Sequence, residues 1–112
     1  MGIEQGFSEK DWKLFRKKAV GWQEAFMERL NREYIELLNT DEEASEKFWK
    51  LDKRIRNDKK KCGVQMEMKR SNLIYNLLSL INEGAITMED LEEFSEELQD
   101  TVYAFLYRKF RD

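Results

Sequence analysis

Apolar side chains recur every three or four residues at Trp12, Phe15, Ala19, Trp22, Phe26, Leu30, Tyr34 and Leu37. This spacing follows the 3.6-residue period and predicts one amphipathic helix over about 9–38. Ser8 stands at the cap position with Asp11 three residues on, and Phe7 and Trp12 occupy the two positions of a hydrophobic staple. Asn39-Thr40-Asp41 supplies a stop and the next cap.

The pattern then changes. A second helix over about 42–61 has a narrow seam of Phe48, Trp49, Leu51 and Ile55, interrupted by Asp52. Gly63 is read as a break or kink; the alternative is a single helix over about 42–83 that tolerates it. A third helix over about 64–83 carries Met66, Leu73, Ile74, Leu77, Leu78 and Ile81, a wide apolar face expected at the centre of the core, and Gly84 ends it. Thr87 and Asp90, with Ile86 and Leu91 as the staple, open a fourth helix over about 88–110. The chain contains no proline, so nothing of that kind interrupts long helices. The expected fold is all-α: an elongated antiparallel bundle of three to four helices over residues 8–112, preceded by a flexible segment 1–7.

Length turns this pattern into an expectation about assembly. A 30-residue helix is a rod of about 45 Å, whereas a compact chain of this size is about 34 Å across. The stripe is apolar nearly end to end, so a compact monomer would leave part of it uncovered. A homodimer is therefore expected, with Trp12, Phe15, Trp22, Phe26, Leu30 and Tyr34 as the interaction stripe.

Composition narrows the chemistry. The chain has 112 residues, 41% hydrophobic and 38% charged, with no histidine and one cysteine. Histidine-based triads and zinc sites are thereby excluded, as is an intrachain disulfide. No catalytic, cofactor-binding or metal-binding residue is assigned, and the expectation is a protein that is not an enzyme and needs no cofactor. The opening Met1–Gly6 lacks the basic start and apolar run of a secretory signal, and the longest apolar run, Val102–Tyr107, is far too short to span a membrane. A cytoplasmic location follows as an expectation. Cys62 beside Lys59, Lys60 and Lys61 is read mainly as a small structural residue, with a charge-lowered thiol pKa as the alternative.

Charge is unevenly distributed. Residues 50–70 hold nine bases against three acids, while the chain as a whole is −3, and residues 83–100 hold eight acids and no base. Arg56, Lys59, Lys60 and Lys61 form the candidate anion-binding face. The alternative expectation is accordingly a nucleic-acid-associated regulator that uses the basic 50–70 helix face, which the overall acidity disfavours. Three further sets have bland and sharp readings. Trp12, Trp22, Trp49, Phe15, Phe26 and Phe48 are core at helical spacing, or line a pocket. Glu92 with Glu96, and Glu93 with Glu97, are a solvated face or a cation site. Asn72 and Asn76 fix helix register or form a polar site.

The run Leu77–Leu91, with its Asn82-Glu83-Gly84-Ala85-Ile86-Thr87 turn followed by acids, resembles the helical hairpin modules called SHOCT domains. That resemblance implies an oligomerisation or interaction element. From Phe7 through Leu98, with the Ser8-Glu9-Lys10-Asp11-Trp12 start, the chain is similar to a group of small uncharacterised bacterial helical proteins, sometimes automatically named multidrug transporters. The similarity implies a bacterial origin and no activity. The functional expectation is a non-enzymatic protein-interaction or oligomerisation module that acts through apolar helix faces.

Overall fold

The computed structural model describes residues 6–111, with side chains through Arg108. Helix α1 spans Glu9–Leu38, as its periodicity predicts. Its capping box is complete: the Ser8 hydroxyl accepts from the Asp11 N–H at 3.1 Å, and the Asp11 carboxylate accepts from the Ser8 N–H at 3.0 Å. The turn that follows folds the chain back, and Lys47 Nζ donates to the Leu38 carbonyl at 2.9 Å, satisfying an end carbonyl of α1.

Helix α2 is Ala44–Asp58, shorter at both ends than the expected 42–61. It runs antiparallel to the second half of α1, with Lys47 beside Leu38 and Arg54 beside Glu33. Beyond Asp58 the chain leaves the helix in turns at Lys60, Lys61 and Val64. The expected helix 64–83 also begins late. Residues 65–69 have no regular structure, a 3-10 turn covers Arg70–Asn72, and helix α3 is Leu73–Asn82. The cause is tertiary: the buried Asn76 side chain donates to the Glu67 carbonyl at 3.0 Å and holds that strand of chain off the helix axis.

Gly84 ends α3 at φ +80°, with its N–H donating to the Ile81 carbonyl and the Ala85 N–H to the Leu80 carbonyl, the Schellman pattern. The expected fourth helix is divided. Met88–Leu91 is a 3-10 turn opened by Thr87 and Asp90, and helix α4 is Glu96–Arg111. Ser95 restarts the helix, its hydroxyl accepting from the Leu98 N–H at 3.2 Å.

The result is all-helical and elongated, 55 × 32 × 21 Å with a radius of gyration of 16.8 Å, against roughly 13 Å for a compact chain of about this length. One end is a body in which the first half of α1 packs with α3 and α4 around Phe15, Leu73, Leu77, Leu80, Leu91 and Leu98. The other end is an arm made of the second half of α1 and α2. Residues 1–5 of the expected flexible segment lie outside the described residues. Phe7 does not belong to such a segment: it is buried in the core, and Gly6 fits against Thr101, whose Oγ1 lies 2.7 Å from where a Cβ would stand. No helix among the described residues is long and apolar enough to cross a membrane.

Candidate functional site

The α1 stripe is divided between body and arm, and most of it is covered by its own chain. Trp12, Phe15, Phe26 and Leu30 are buried, while Trp22 and Tyr34 are half-buried. Phe15 lies 6.2 Å from Trp22, which lies 6.3 Å from Phe94. Arg70 lies 5.5 Å over the Trp12 ring and pairs with Glu9 at 2.8 Å, closing the stripe at that end. Trp12, Phe15, Trp22 and Phe26 are therefore core and core rim, which corrects their reading as a partner-binding face, whereas Leu30 and Tyr34 are packed by α2 on one side and line an open groove beside it. The rod overshoots a sphere as expected, but α2 covers its far half.

Where α1 passes from body to arm, the chain is clamped. The Phe26 ring rests on Gly63 so closely that a Cβ there would lie 2.3 Å from Phe26 Cδ2. The Glu83 carboxylate accepts from the N–H groups of Cys62 and Gly63 at 2.9 and 3.0 Å, and Gln23 Nε2 donates to the Cys62 carbonyl at 2.9 Å. Gly63 is thus a break, as read, and α2 and α3 are separate helices. Burial first, and the Glu83 charge second, push the Cys62 thiol up against a hydrogen bond with Ser79. The nearby lysines do not lower it, and Cys62 has a structural place.

Inside the arm sits Asp58, whose side chain is 4% exposed. Its Oδ2 accepts from the Tyr34 hydroxyl at 2.6 Å and faces Arg54 Nε at 3.4 Å, while Oδ1 faces Lys61 Nζ at 3.2 Å. Burial opposes its ionisation. The hydrogen bonds from Tyr34 and Lys61 and the charges of Lys61 and Arg54 outweigh that, and the carboxyl titrates below its usual range. The same contact works oppositely on Tyr34, which burial and Asp58 together push up to about 12. Arg54 also reaches Glu33 at 2.6 Å and lies 5.4 Å from the Tyr34 ring centre.

Ion pairs within the chain take up half of the candidate anion-binding face. Arg56 is paired with Asp52 at 2.9 Å and Lys61 with Asp58, which leaves Lys59 and Lys60 without a carboxylate partner among the described residues. The six aromatics do not form one pocket, because Phe48 and Trp49 stand apart from the rest. They lie edge to face at 4.9 Å on α2 and are 61% and 63% exposed. Glu92, Glu93, Glu96 and Glu97 are exposed, Glu93 reaching Lys18 at 3.3 Å. No group of three or more potential metal-ligating side chains occurs among the described residues. Asn76 ties the irregular segment before α3 to that helix through the Glu67 carbonyl, a loop tether in place of a helix-register contact; Asn72 lies beside Glu67.

Open grooves remain between the helices. One, of about 270 Å³, runs between α1 and α2 and is lined by Met27, Leu30, Tyr34, Ile55, Val64 and Lys59 among others. Another, of about 350 Å³, lies between α3 and α4 at Tyr75, Leu78, Phe105, Leu106 and Arg108. The exposed pair Phe48 and Trp49 was visible in sequence as part of the α2 seam; its separation from the core was not. A scan against protein families and searches of curated proteins and of solved structures find no match.

Proposed function

We propose that this chain is a non-enzymatic protein-interaction module whose working surface is the α1–α2 arm. The observation that carries the reading is the exposure of Phe48 and Trp49 on an element that projects from a body already able to bury its own stripe. Burying large aromatics is worth several kcal/mol in an interface, and aromatic anchors dominate binding hot spots. Further along the arm, Asp58 is satisfied by three donors and Arg54 by two carboxylates of the same chain, so these groups brace the arm and leave the apolar surface to supply affinity. Pairing of Arg56 and Lys61 with acids of the same chain weighs against the nucleic-acid reading.

A photoreactive phenylalanine analogue placed at position 48 in the native cell tests this. A discrete heavier adduct from position 48, absent when the same analogue replaces the exposed Val20 of the body, is the expected result. Equal labelling from both positions, or none from either, overturns it.

A further inference from the structure

We propose that the occupant of the arm is a second copy of this chain, lying tip to base against the first so that the two arms form a four-helix unit. This inference rests on the interaction role proposed above and names its partner.

The first observation is charge. Residues 36–46, the arm tip, hold five acids, and with Lys47 and Lys50 reaching into it the tip stays acidic at −3, whereas residues 53–61, the arm base, hold six bases and one acid. The 15 residues of α2 separate the two ends by about 22 Å, well beyond the screening length of about 8 Å at physiological salt, so each end presents its own field. Internal pairing leaves Lys53, Lys59 and Lys60 free at the base, and Glu36, Asp41, Glu43 and Glu46 free at the tip, among the described residues. A second arm laid parallel would set acid on acid and base on base. Laid antiparallel, each tip meets the other's base, and the contact closes on itself by a two-fold axis.

The second observation is the groove between α1 and α2. Its apolar lining of Met27, Tyr34, Ile55 and Val64 is continued toward the tip by the exposed Ile35, Leu38 and Phe48. The helical repeat places Ile35 and Leu38 one and two turns from Asn31, and Phe48 two turns from Ile55. Asn31 and Ile55 both line the groove. Two helices that bury only one side of their shared surface are half of a four-helix bundle, and a second identical pair completes it. Lys59, at the groove's base end, then faces the acidic tip of the other arm.

The experiment is light-scattering mass measurement with two charge-reversed variants, Asp41→Lys/Glu43→Lys at the tip and Lys59→Glu/Lys60→Glu at the base. The wild type is expected to be a dimer whose dissociation constant rises about tenfold or more between low and high salt. Each variant alone is expected to be monomeric with unchanged helicity, because all four side chains are exposed. Mixing the two variants is expected to restore a dimer, since each tip then meets an opposite base. Phe48→Asp is expected to dissociate the wild type without loss of helicity. A wild type that stays monomeric at about 200 µM and low salt, or variants that fail to pair on mixing, overturns the proposal. If the wild type is monomeric while position 48 still captures a different protein in the cell, self-pairing falls and the interaction role stands. If position 48 captures nothing as well, both fall.

Discussion

Asp11 accepts two hydrogen bonds from Ser95, the N–H to Oδ1 at 2.9 Å and the hydroxyl to Oδ2 at 2.6 Å, while Ser8 donates to Oδ2 at 3.0 Å. One carboxylate therefore closes the N-terminal ends of both α1 and α4, where both helix dipoles favour negative charge. Asp11→Asn places an amide donor against these donors and is expected to lower stability by about 2 kcal/mol, read as a lower urea midpoint at unchanged slope. Ser95→Ala, which removes the hydroxyl bond and the α4 cap, is expected to cost about 1 kcal/mol.

The same contact sets an acid limit. Burial opposes ionisation of Asp11, but the hydrogen bonds from Ser95 and Ser8 outweigh it and hold the carboxyl below its usual value, as the donors around Asp58 do there. The unfolded chain, with ordinary carboxyls, binds more protons than the folded one in the window between the two pKa values. Stability is thus fully present above the unfolded value of about 3.9 and is lost as pH falls through the folded value. Urea midpoints measured downward from pH 6 should fall steeply in the wild type below about pH 4, and less steeply in Asp11→Asn.

At the body–arm junction, Gly63→Ala drives a methyl into the Phe26 ring and is expected to destabilise by about 1–3 kcal/mol. Pairing it with Phe26→Leu should recover part of that loss. A double-mutant cycle by thermal melting that shows simple additivity would mean the two residues do not meet.

Tyr34 provides a spectroscopic check on the arm. One tyrosine of the four should ionise with a midpoint of about 12 by ultraviolet absorbance, and Tyr34→Phe should remove that step. The substitution leaves Asp58 without its nearest donor and is expected to cost about 1–2 kcal/mol.

Cys62, its thiol pushed up by burial and by Glu83, should react slowly with a disulfide reagent near pH 8 while the chain is folded and become fast in denaturant. Fast reaction in the folded state would place the thiol outside the junction described above.

What the sequence showed, and what it hid, divides by contact range. The 9–38 helix, its Ser8–Asp11 box and the Gly84 stop depend on residues within one or two turns of each other, so a single pattern shows them. The late start of α3 and the early end of α2 depend on Asn76 holding Glu67 and on Glu83 holding Cys62 and Gly63. No periodicity encodes those pairings. The division of the 88–110 stretch left a trace in Ser95-Glu96-Glu97-Leu98, a cap followed by acids, which the continuing apolar stripe through Leu91, Phe94 and Leu98 masked. The apolar stripe of α1 is legible in the sequence, but its expected cover was a second chain; that α2 covers its far half instead depends on how α2 folds back, which no periodicity encodes.

The bond between Asp11 and Ser95 joins positions 84 residues apart, whereas Tyr34 and Asp58 in the arm are only 24 apart. During synthesis the hairpin of α1 and α2 has all its partners soon after Asp58 leaves the ribosome. The first turns of α1 must wait, their aromatic side uncovered, until Leu98 and Val102 emerge. The molecule is therefore assembled from its outer end inward, and its most vulnerable moment to misassociation comes between those two events.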